Sequence, residues 1–216
     1  MIWTIARHEW RLIFREPRFW VPFLFPPLLL IVTQWIVFSN QGDAFGSEDI
    51  QGYIMLLLGV MMAPMASPLT ADSFAGERER NSLELLLLAP VTAKELFFGK
   101  FLAVIPFPLF FAIAIQTIFF LFVESITFSI YLKTLLAAIS ACLLVNGFSL
   151  LISLRAKTVR SATQSSIIII FPLFILVQWG AREYLSSISI PIIAFTISIF
   201  AFILFSALAF RCFKRI

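Results

Sequence analysis

The sequence predicts an all-α integral membrane protein: six transmembrane helices, an amphipathic interfacial helix before them, and a cytoplasmic helical segment between the second and third spans. Three observations lead there. Of 216 residues, 61% are apolar and 13% charged, and the mean hydropathy of +0.99 is too high for an ordinary soluble domain. The apolar residues gather in six runs, 20–38, 52–71, 101–123, 134–154, 162–178 and 190–210, each near the roughly 20 residues a spanning helix needs. Every Lys and Arg except Lys133 and Arg182 falls in the segments that this plan puts on one side. Positive residues are retained in the cytoplasm, so both termini are expected there, in a multi-pass protein of the cytoplasmic (inner) membrane.

The first element is read over residues 1–18. Trp3, Ala6, Trp10, Ile13 and Phe14 fall on one helical stripe, with Arg7, Arg11, Arg15 and Arg18 opposite, the pattern of a helix lying along a membrane surface. Pro17 and Trp20 lead into the first span, where Pro22, Pro26 and Pro27 loosen its opening turns. No cleavable secretory signal follows the charged start, so this span is expected to remain as an anchor.

In the second span, Gly52, Gly59, Ala63 and Ala66 form a small-residue side suited to close helix approach, within one chain or between two copies. Pro64 and Pro68 here, Pro106 and Pro108 in the third span and Pro172 in the fifth predict irregular turns. Pro191 sits near a helix start, where proline fits. Continuous apolar runs argue for helices rather than barrel strands, which alternate polar and apolar residues. The connections on the non-cytoplasmic side are short, so residues 1–216 read as a single transmembrane domain without an external capture domain.

The longest polar stretch, 72–100, is cytoplasmic in this plan. Asp72 or Ser73 is expected as an N-cap, Asn81-Ser82 as a pause and Pro90 as a stop, with Thr92-Ala93-Lys94-Glu95 as a capping box opening the third span. Glu77, Arg78, Glu79 and Arg80 place dense charge of both signs beside Leu83, Glu84, Leu85, Leu86, Leu87 and Leu88. A docking element has this makeup: leucines supply buried area and charges set register and partner choice. The alternative for the charged run is a solvated, self-paired helix surface.

These residues resemble the membrane-spanning permease subunits of ABC-2 type ABC transporters. The resemblance rests on Gly76-Glu77-Arg78-Glu79-Arg80, Ser82-Leu83-Glu84-Leu85-Leu86, Pro90-Val91, Glu95 and Gly99-Lys100, placed between the second and third of six spans. It implies that 72–95 is a coupling segment touching a cytoplasmic ABC ATPase and that the amphipathic N-terminal helix is a second contact. It also implies pairing with a second permease copy or a similar subunit, with ATP and Mg bound in the ATPase. Asn81-Ser82 stands where relatives often have Gly-Thr, and the large external domain of many relatives is absent.

Other chemistries find few candidates. No Gly-x-x-x-x-Gly-Lys-Ser/Thr loop exists, so ATP hydrolysis is assigned to a separate chain and no cofactor to this one. His8 is the only histidine, and no Cys/His cluster or catalytic triad can be assembled. The basic residues are spread over four membrane-flanking segments, which argues against nucleic acid. Cys142 and Cys212 read as packing residues and Lys133 as a snorkelling one. Gln34, Gln116, Asn146 and Gln164 are the polar residues inside spans, placed either in interhelical hydrogen bonds or along a transport path. No carboxylate lies at mid-depth, which disfavours an ion-coupled carrier.

The expected function is therefore the permease part of an ATP-driven exporter of an amphiphilic or hydrophobic compound. A compact permease like the haem-exporter subunit of cytochrome c maturation is a narrower variant. A non-transporting membrane anchor or signalling partner of an ATPase would carry much the same sequence features.

Overall fold

A computed structural model describes residues 2–17, 21–25, 28, 32, 48–80, 92–123 and 126–213, and among them there are helices and no strand. The first helix, α1, covers Ile2–Arg15. A short 3-10 turn follows at Val21–Leu24, and most of the first predicted span, with Gln34, lies outside the described residues. The later elements are α2 (Glu48–Glu79), α3 (Ala93–Val104), α4 (Pro106–Phe122), α5 (Phe128–Arg155), α6 (Val159–Ser186) and α7 (Ser189–Phe213). With α3 and α4 taken together, five helices among the described residues are long and apolar enough to cross a membrane.

Proline explains the interruptions. Pro64 and Pro68 flank a break at Ala66, whose N–H reaches Ala63 O at 3.3 Å, because a proline offers no N–H to the ladder. Pro106 and Pro108 divide α3 from α4 at Ile105, whereas Pro172 is carried inside α6 without ending it. The capping box is present: Glu95 N donates to Thr92 Oγ1 at 3.3 Å and Thr92 N to Glu95 Oε2 at 3.0 Å. The predicted N-cap at Asp72 or Ser73 is corrected. Asp72–Gly76 continue the helix as a π turn into Glu77–Glu79, and the Ser73 hydroxyl bonds back to Thr70 O at 2.8 Å.

Helix α5 is the centre of the bundle and packs on α2, α4, α6 and α7. Contacts at its two ends give the direction of its neighbours. Near its start, Glu48 Oε1 of α2 accepts from Thr127 Oγ1 at 2.6 Å, the Tyr184 hydroxyl of α6 donates to Lys133 O at 3.2 Å, and the Lys133 ammonium donates to Leu185 O. Lys133 therefore satisfies a carbonyl in the last turn of α6 rather than reaching outward. Near its end, α5 meets the end of α2 and the start of α6. Consecutive spans therefore alternate in direction, and α1 lies at the end where α2 finishes and α3 begins.

Apolar helices in lipid gain little from burying more apolar surface, so close packing and polar links hold them together. Gly59 supplies both. An added Cβ there would lie 1.9 Å from Gln116 Nε2 and 2.9 Å from the Ala138 methyl. Only glycine leaves room for that amide, which donates to Met55 O at 3.3 Å and Thr134 O at 3.1 Å and so links α2, α4 and α5. The small-residue side of α2 thus serves packing within the chain. Gly59→Ala is expected to lower the melting temperature in detergent, and Gln116→Ala in the same chain to restore part of the loss, with a coupling of about 0.5–3 kcal/mol. Purely additive losses in thermal melts of the single and double variants would contradict this contact.

Candidate functional site

The charged run lies at the end of the bundle where α1, α2, α3, α5 and α6 meet, and each of its residues takes a different partner. Glu77 turns inward to Lys100 of α3. The Lys100 ammonium is 2% exposed and donates to Glu77 Oε1 at 2.6 Å and to Glu9 Oε1 of α1 at 2.9 Å. It stands 5.8 Å from the centroid of the Phe74 ring, over an aromatic layer of Phe74, Phe97, Phe210 and Phe213. Low local dielectric strengthens these bonds and makes an unpaired charge expensive. One lysine thereby fastens three helices.

Arg78 crosses to α5. Its Nη1 donates to Ala156 O at 2.6 Å and its Nη2 to Leu154 O at 2.8 Å. A helix leaves its last carbonyls unpaired and its C-terminus partly negative, so a guanidinium satisfies both. Glu79 serves the next helix in the opposite sense: Oε2 accepts from Val159 N, the first residue of α6, at 3.0 Å. Thr158 caps the same end, accepting from Ser161 N at 3.1 Å. Arg80 folds back on its own helix and pairs with Asp72 at 2.9 Å. Gly76 makes room for that pair, since a Cβ there would meet Asp72 Oδ1 at 2.3 Å. Arg80 is 54% exposed, so its pair contributes at most about 1 kcal/mol.

α1 is docked on α3 and the start of α4. Ile5 lies against Gly99, Glu9 binds Lys100, the Trp10 indole N–H donates to Ala103 O at 2.9 Å, and the Phe14 and Phe107 rings stand 5.7 Å apart. Ala6 and Ile13 are buried, while Trp3 and Phe14 of the predicted apolar stripe stay 60% and 66% exposed. Arg7, Arg11 and Arg15 are exposed, as is His8.

Of the other predicted site residues, Leu83, Glu84 and Leu86 lie outside the described residues, as does 81–91 of the predicted 72–95 segment. Gln116 is buried among three helices, and Asn146, also fully buried, donates to Cys142 O at 2.7 Å within α5. Gln164 is exposed on α6. Sequence reasoning missed Glu9, Lys100 and Ser153. Lys100 was visible only as part of a motif. Ser153 belongs to a stripe on α5, Cys142, Asn146, Ser149 and Ser153, whose three- and four-residue spacing marks one helical side.

Alternating apolar helices joined through buried polar contacts define the class, a multi-pass membrane protein. Residues 1–178 match the ABC-2 type transporter family, and the chain belongs to that family. It is 28% identical over 141 residues to the ABC transporter permease protein NatB of Bacillus subtilis (strain 168), a match covering 58% of this chain and 36% of that relative. It is 30% identical over 97 residues to the inner membrane transport permease YadH of Escherichia coli (strain K12), covering 42% of this chain and 38% of that relative. The matched regions span little more than a third of the length of these relatives.

Lys100→Met removes the ammonium that two partly buried carboxylates, Glu9 and Glu77, share. It is expected to cost about 3–5 kcal/mol, while adding Glu9→Gln and Glu77→Gln to the same chain recovers most of the loss. Thermal melts in detergent check the order, and equal melting of the single and triple variants would contradict it.

Proposed function

We propose that this chain is the permease subunit of an ATP-driven exporter and that separate cytoplasmic ABC ATPases grip it at the 72–95 segment and at α1. The end of the bundle carrying Arg78, Arg80, Lys94, Lys100, Arg155, Lys157 and Arg160 then faces the cytoplasm, as the distribution of positive residues favours. One observation carries the reading: Glu77, Arg78 and Glu79 bind three separate elements. A push on this segment is delivered at once to α1, α3, α5 and α6.

ATP binding in the partner subunits would bias the permease between inward- and outward-facing states by favouring one arrangement of this junction. A second copy or a similar permease completes the pathway. The cargo is an amphiphilic or hydrophobic compound, in keeping with the apolar outer sides of α6 and α7, where Phe171, Trp179 and Phe200 stand exposed. Of the three pathway candidates among the described residues, Gln164 has the exposed side chain, which supports placing it nearest the cargo. Gln116 and Asn146 act in packing.

Replacing Glu77, Arg78 and Arg80 together with alanine is expected to reduce the ATPase that co-purifies from native membranes by about tenfold, or ~1.4 kcal/mol, with membrane insertion retained. Unchanged co-purification would remove the docking role from this run. ATP hydrolysis in reconstituted vesicles without movement of any cargo would favour the non-transporting anchor instead.

A further inference from the structure

The π turn at Asp72–Gly76 has a visible cause on another helix. In a regular α-helix Ala75 N would donate to Ala71 O. Here the Ser153 hydroxyl of α5 stands between them: it accepts from Ala75 N at 3.1 Å and donates to Ala71 O at 2.8 Å, and it also accepts from Phe74 N at 3.2 Å. A foreign hydroxyl inserted into the ladder opens it, as an inserted water does. Ser153 is fully buried, as are Ala71, Phe74 and Ala75, so no solvent competes for these groups. A π turn carries one more residue per hydrogen-bonded ring than an α turn. Everything beyond it is rotated relative to where a continuous α-helix would put it, by about 100° for one residue.

The residues beyond it are Gly76 and the charged run. From the geometry we infer that Ser153 is the positioning residue that sets the rotational register of Glu77, Arg78 and Glu79, and hence decides that they reach Lys100, the carbonyls of Leu154 and Ala156, and Val159 N. Without the hydroxyl, Ala75 N and Ala71 O are free to bond directly. The helix then closes to α geometry and the run turns away from all three partners. This assignment rests on the reading of 72–95 as the coupling segment only for its consequence in transport. The register itself is a property of the chain alone.

The test is made without any ATPase. In full-length chains with Cys142→Ala and Cys212→Ala, the pair Glu79→Cys and Val159→Cys is bridged in native membranes with a short bifunctional thiol reagent and the intramolecular cross-link is quantified. Rapid cross-linking is expected with Ser153 in place, a drop of at least about tenfold with Ser153→Ala, and recovery with Ser153→Thr, which restores the hydroxyl. Ser149→Ala is the control, because that serine bonds Ser166 at 2.9 Å and touches no ladder. Its cross-linking should match the parent. Undiminished cross-linking in Ser153→Ala would overturn the inference, as would an equal loss in Ser149→Ala, which would mean that any disturbance of α5 has the same effect. Should Ser153→Ala fail to accumulate in membranes, Ser153→Thr decides: parental cross-linking supports the assignment and its loss overturns it. The ATPase co-purification experiment above stands or falls separately from this result.

Discussion

An ammonium group closed off from solvent has to be met by opposite charge, and around Lys100 that requirement organises one whole end of the molecule. The ammonium bonds carboxylates from two other helices at 2.6 and 2.9 Å, and neither helix can move far without stranding a charge in a medium that penalises it. Buried ion pairs are weak evidence for stability, since apolar residues of the same volume often serve as well. Their use here is geometric. They fix which turn of α1 lies against which turn of α3, and they hold the end of α2 between them.

The rest of the junction applies the same rule to helix ends. Arg78 meets the unpaired carbonyls that close α5, and Glu79 meets an unpaired N–H that opens α6. Arg78 and Glu79 thus end on groups that have no partner within their own helices. Further into the bundle the Gln116 amide beneath Gly59, and Ser149 with Ser166, make neutral links. The outer sides of α6 and α7 remain apolar and uncovered, which suits lipid or a neighbouring subunit.

Much of this was legible in the sequence, and the part that was not has a physical reason. Hydropathy located the described spans because that signal is local and summed over many residues. The Thr92–Glu95 capping box was legible for the same reason, since all its atoms lie within one turn. The destination of Glu77, Arg78 and Glu79 was not, because alternating charges read alike whether they meet water, a partner protein or the chain's own helix ends. The false N-cap at Asp72 has the clearest origin. A polar pair after an apolar run is a fair cap signal, but here the helix runs on through Asp72–Gly76 as a π turn, its opened ladder filled by a serine nearly eighty residues further along. No local rule contains that serine.

The proposed function requires the junction of Glu77–Arg80 with the neighbouring helices to face the cytoplasm, where an ATPase takes hold of it. Labelling a cysteine placed at Arg80, the most exposed member of the run's ion pairs, with a membrane-impermeant maleimide tests it most directly. Labelling is expected in inside-out vesicles, none in intact cells, and protection when the ATPase is bound. Labelling from the outside of intact cells would contradict it.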